Sequence, residues 1–64
     1  MAKYKFVFST GDICNYIGAN NSEALKAAKG YIDIMKKIDF RVGYVRVYKY
    51  IDSNRYSMIG KHDL

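Results

Sequence analysis

The chain has 64 residues, half of them hydrophobic, and lysine plus arginine outnumber aspartate plus glutamate 11 to 6, for a net charge of +5. That length predicts one small domain over residues 1–64, with a thin core that buries about 60% of the surface its unfolded chain exposes. The composition excludes a disordered tail, and the charge biases the partner toward polyanions: nucleic acid, an anionic membrane or an acidic protein surface.

Cys14 is the single cysteine. No intramolecular disulfide can form, and a reducing compartment is expected. The apolar run Phe6-Val7-Phe8 is far shorter than a signal-peptide core, and no stretch approaches the ~20 apolar residues that span a bilayer. The expectation is a cytoplasmic protein with no membrane partner.

Residues 3–9, KYKFVFS, alternate with period two: Tyr4, Phe6 and Phe8 on one face, Lys3, Lys5, Val7 and Ser9 on the other. This predicts a first strand. Gly11-Asp12 then suits a two-residue type II′ hairpin, after which Ile13 to Ile17 form a second strand. In that register Thr10 faces Ile13, Phe8 faces Asn15 and Phe6 faces Ile17, so Ile13 and Ile17 point inward. Asn15 is the misfit in that row.

The period then changes to 3.6. Ala24, Leu25, Ala27, Ala28, Tyr31, Ile32, Ile34, Met35 and Ile38 fall within half of a helical circumference, and Glu23, Lys26, Lys29, Gly30, Asp33, Lys36 and Lys37 take the rest. Asn20 is the expected N-cap, Glu23 completes a capping-box spacing, and Lys36 and Lys37 suit the negative end of the helix dipole. A third strand is expected from Arg41 to Ile51, a tight turn at Asp52-Ser53-Asn54, and a fourth strand from Arg55 to Ile59. A two-residue loop sets Ile51 opposite Tyr56 and Lys49 opposite Met58, which turns Tyr56 and Met58 inward. Gly43 is a natural bulge site that rotates Val42 into the core, and Gly60 to Leu64 reads as a frayed tail.

The fold class is therefore α+β, in the order ββαββ. A right-handed crossover with the first strand between its neighbours gives a four-stranded antiparallel sheet of order 2-1-3-4, with the amphipathic helix on one face. The expected core is Phe6, Phe8, Ile13, Ile17, Val45, Val47 and Met58.

One helix covers one face, so the other is open. Parity collects Lys3, Lys5, Val7, Cys14, Tyr16, Tyr44, Arg46, Tyr48, Tyr50, Arg55, Ser57 and Ile59 there, with no acid. Rings interleaved with cations are what single-stranded nucleic acid needs: π-faces for bases and positive charge for phosphates. The candidate binding residues are Tyr16, Tyr44, Tyr48 and Tyr50 for stacking, and Lys3, Lys5, Arg46 and Arg55 for phosphates. Tyrosine and arginine are also enriched at protein hot spots. A second reading is thus a protein-binding inhibitor or adaptor, of the kind that phages and mobile elements encode to block a larger host enzyme or defence complex. A homodimer through the open face or through an edge strand, the second or the fourth, is a third.

Chemistry is sparse. His62 is the single histidine and has no zinc-like spacing to Cys14 or Asp63, so no metal, cofactor or catalytic residue is expected and the protein reads as a non-enzyme. Gly18 to Ser22, GANNS, lacks the lysine and glycine spacing of a phosphate loop and reads as a helix cap.

Overall fold

In the computed structural model, which describes residues 1–64, two hairpins flank one helix: β1 (Ala2–Phe8), β2 (Ile13–Gly18), α1 (Asn21–Ile38), β3 (Tyr44–Asp52) and β4 (Arg55–Asp63). The four strands form one antiparallel sheet in the order β2-β1-β3-β4. The helix packs on one face. Element order, strand order and class agree with the sequence expectation.

The alternation of β1 decides which face is covered. Tyr4, Phe6 and Phe8 are buried, and Val45 and Val47 of β3 join them from the neighbouring strand. Above these lie Ala24, Ala28 and Ile32, the buried positions of α1, spaced so that two small residues bring the helix axis close and the isoleucine fills the remaining depth. Asn20 is extended and its side chain accepts the Glu23 backbone N–H at 2.9 Å, which satisfies one of the free donors of the first turn. At the other end Asp39 leaves helical geometry while its N–H donates to the Met35 carbonyl. Its carboxylate accepts from the Arg41 backbone N–H and guanidinium, each at 3.0 Å, and so shapes the turn into β3. β3 accordingly starts at Tyr44 instead of Arg41, and Val42 is buried from the connection ahead of it.

The expected apolar arc of α1 is wider than the contact it makes. Ile34 and Ile38 are exposed, as is Phe40 just past the helix end. The helix overhangs a narrow sheet.

Three local irregularities change which side chains share a face. The first is the β1–β2 loop. Gly11 has φ +96° and its N–H donates to the Phe8 carbonyl, while the Phe8 N–H donates to Asp12. The loop is thus the three residues Ser9 to Gly11, with glycine in the left-handed position, and not a two-residue II′ turn. One extra residue inverts all of β2: Val7 pairs with Ile13, Phe6 with Cys14 and Tyr4 with Tyr16. Cys14 and Tyr16 lie beneath the helix, and Ile13, Asn15 and Ile17 on the open face. Ile13 and Ile17, expected in the core, are 60% and 62% exposed.

The other two are bulges in the β3–β4 hairpin. Its turn is the expected two residues, Ser53 and Asn54, both at positive φ. Between Tyr50 and Asp52, however, Ile51 has no partner of its own, so Tyr50 pairs with Tyr56 and Tyr48 with Met58. Tyr56 and Met58 therefore lie on the open face, and Ser57 and Arg55, expected there, alternate to the other. A second shift, at Ile59, restores the original phase: Val47 pairs with Gly60 and Val45 with His62. Ile59 packs against the core.

Gly60 to Leu64 is not frayed. β4 runs through Asp63, and the His62 Nε2 lies 2.7 Å from the Leu25 carbonyl, so that nitrogen carries the proton it donates. Gly60 faces Leu25 so closely that a Cβ there would fall 2.5 Å from the leucine Cδ2. The absent side chain lets helix and sheet meet.

Candidate functional site

The open face of the sheet is built row by row from paired strands. Lys5 of β1 sits beside Tyr48 of β3, which pairs with Met58 of β4; Val7 sits beside Arg46, which pairs with Lys61. Tyr50 and Tyr56 pair across the hairpin, their rings edge to face with centroids 5.5 Å apart. At the far end Tyr44 pairs with Asp63.

Each ring of this face has a cation against it. The Lys3 ammonium lies 5.0 Å from the Tyr50 centroid, and Lys5 lies 4.1 Å from Tyr56 and 5.6 Å from Tyr48. The Arg46 guanidinium is 4.8 Å from Tyr44, which also receives Lys61 at 4.7 Å. Such contacts contribute roughly 0.5–1 kcal/mol each at exposed sites. They hold the cations over the sheet without neutralising them. Asp63 is the one carboxylate among these rows, and it pairs with Lys61 at 3.3 Å. Next to the rings, Lys3, Asn15, Ile17 and Tyr56 border a shallow hollow of about 530 Å³ that Tyr4 and Tyr16 also line. The Asn15 amide there can both donate and accept toward a base edge.

Of the residues singled out from sequence, Lys3, Lys5, Tyr44, Arg46, Tyr48 and Tyr50 are brought together on this face. Tyr16 is not. Its ring stacks on Phe6 with centroids 5.2 Å apart and meets Tyr31 edge-on, beneath the helix. Its hydroxyl donates to the Glu23 carboxylate at 3.0 Å, a bond that pushes the Tyr16 pKa up, with desolvation adding to it. Glu23 therefore serves Tyr16 with its side chain, and the capping box is only half built. Arg55 is also outside the site: its guanidinium is held by both carboxylate oxygens of Asp52 at 2.8 and 2.9 Å, which keeps it still more firmly protonated.

Sequence parity missed Tyr56, Lys61 and Asn15. For Asn15 a signal existed, because it was the one polar residue in a row assigned to the core. Gly18 carried another: a Cβ there would lie 2.7 Å from the Tyr16 ring, so the glycine makes room for Tyr16 on its own face. Tyr56 depends on the bulge at Ile51, which no residue type announces; Lys61 lies beyond both shifts, which cancel, and was missed because Gly60 to Leu64 read as a frayed tail.

Cys14 and His62 lie on opposite edge strands with two strands between them, about 14 Å at the usual strand spacing, so they do not form a nucleophile and base. No three of His, Cys, Asp and Glu cluster in a way that could hold a metal ion. No helix is long and apolar enough to cross a membrane. Comparison with protein-family models, curated protein sequences and solved structures yields no match to this chain.

Proposed function

We propose that this chain is a non-enzymatic binding protein of the cytoplasm whose open sheet face takes up single-stranded nucleic acid. Tyr48, Tyr50 and Tyr56 are the stacking platform with Tyr44 at its margin, and Lys3, Lys5, Arg46 and Lys61 receive the phosphates. The observation that carries this reading is the pairing of all four half-buried rings of the open sheet face, Tyr44, Tyr48, Tyr50 and Tyr56, with a cation on a surface holding one carboxylate. Magnitudes favour exchange: a base stacked on an aromatic ring contributes about 1–3 kcal/mol, more than the exposed cation–π contact it displaces. The freed lysine then meets a phosphate. Stacking on tyrosine carries little base preference, so recognition is tolerant of sequence.

The test is a fluorescence-anisotropy titration with single-stranded DNA and RNA oligonucleotides at two salt concentrations. Four phosphates neutralised on a single strand give a log-log salt slope of about −2.8, or about 50-fold weaker binding between roughly 50 and 200 mM salt. Absence of binding at the lower salt would overturn the proposal and leave the same face to a protein partner, the inhibitor or adaptor reading.

A further inference from the structure

We infer that β2 is the edge by which two copies of this chain pair, antiparallel about a two-fold axis at Asn15, joining their sheets into one of eight strands. The two edges of the sheet are built differently. β4 carries Arg55, Lys61 and Asp63 and is bent by the shifts at Ile51 and Ile59, all features that block strand addition. β2 has the sequence ICNYIG: no charge, no proline, and a register with β1 that runs without a shift. In a chain of net charge +5, an uncharged edge is where a second copy approaches at least electrostatic cost.

The hydrogen-bond phase selects the register. The Phe8 N–H donates to Asp12, so alternate residues from Asp12 onward, Cys14 and Tyr16 among them, turn their backbone groups to β1. Ile13, Asn15 and Ile17 turn theirs outward. Pairing all three with a copy of themselves requires Asn15 opposite Asn15 and Ile13 opposite Ile17, a ladder of about six backbone hydrogen bonds. The side chains agree with it. Ile13 and Ile17, 60% and 62% exposed, flank Asn15 symmetrically, so each meets an isoleucine of the other copy on the open face. On the helix face Cys14 meets the second copy's Tyr16. There Phe8, Cys14, Tyr31, Ile34 and Met35 line an apolar hole of about 270 Å³ beside the same edge, under the exposed Ile34. An isologous interface of this kind is self-complementary by construction.

The register makes the test specific. Sedimentation equilibrium of the full chain is expected to show a dimer. In Ile13→Lys/Ile17→Lys, lysine stands opposite lysine on both sides of the axis, and the dimer should weaken by at least about 100-fold. In Ile13→Lys/Ile17→Glu, lysine stands opposite glutamate, and dimerisation should return to within about 10-fold of the parent. Both positions are exposed in the single chain, so circular dichroism should be unchanged. Hydrogen exchange on the unmodified protein is the variant-free arm: the Asn15 amide should gain protection as concentration rises, while that of Lys61 on β4 should not. A protein monomeric up to about 1 mM, a Lys/Lys variant that still pairs, or equal loss in both variants would overturn the inference.

Discussion

The two faces of this sheet use the same residue type in opposite ways. Beneath the helix, Tyr4 donates its hydroxyl to Asn21 at 2.9 Å and Tyr16 to Glu23 at 3.0 Å, and the Tyr16 ring is stacked within a cluster with Phe6 and Tyr31. On the open side, Tyr44, Tyr48, Tyr50 and Tyr56 have cations over their rings and no comparable hydroxyl bonds to the helix. A tyrosine with both ends engaged is structural; one held by a flexible side-chain cation or the edge of a neighbouring ring keeps a face to offer. Counting tyrosines says little until each is assigned a side.

The contrast can be broken most forcefully at Phe6, which is fully buried. Phe6→Ala should cost about 3–5 kcal/mol, a large share of the roughly 3–10 kcal/mol expected for a chain of this length. Urea or thermal denaturation followed by circular dichroism reads it. On the opposite face, Tyr48→Ala and Tyr56→Ala should leave the midpoint within about 1 kcal/mol of the parent while each weakens oligonucleotide binding by about 1–3 kcal/mol. Should Tyr56→Ala instead unfold the chain, the assignment of faces is inverted.

A smaller effect sharpens the comparison at the helix. Asn20→Ala removes the N-cap bond to Glu23 and should destabilise by about 1 kcal/mol, without altering oligonucleotide affinity, because the cap lies on the covered side. The slightest effects are those of pH. Hydrogen bonds from Arg41 hold the Asp39 carboxyl below its ordinary value, so its contribution is present above about pH 4 and is lost as pH falls through the lowered folded value. Tyr16 has the opposite sign: raised by its bond to Glu23, it contributes below its ordinary pKa, and that contribution disappears as pH rises through the folded value. NMR titration of the Asp39 carboxyl carbon and the Tyr16 ring carbon checks both directions. Tyr16→Phe should remove the alkaline component and leave the acid one.

Much of the architecture is legible in residue order because it rests on local periods. The two-residue alternation of Tyr4-Lys5-Phe6-Val7-Phe8 and of Val45 to Tyr50, the 3.6-residue stripe of α1 and the Asn20 cap each act within a few positions. Together with the handedness of the crossover they are enough for ββαββ and the strand order 2-1-3-4. The make-up of the open face was legible only where it lies on β1 and β3, the two central strands, whose phase is anchored by buried rings and valines.

On β2 and β4 the outcome depended on one-residue differences: three loop residues at Ser9 to Gly11 in place of two, an unpaired Ile51, and a compensating shift at Ile59. Each exchanges the two faces for every position beyond it, because side chains on a strand alternate with a period of two. That moved Tyr16 under the helix and brought Tyr56, Met58 and Asn15 to the open side, while the two β3–β4 shifts cancel and leave Gly60 and His62 against Leu25, the side the unbroken alternation gives them. The amino-acid order by itself settled the number, kind and order of the elements and, since burial of a periodic apolar face is a local property, which central residues are buried, though not that β4 runs on to Asp63. The tertiary structure alone decided the register of the two edge strands, since a bulge or one more loop residue is chosen by how whole faces pack and not by the residues at the bulge.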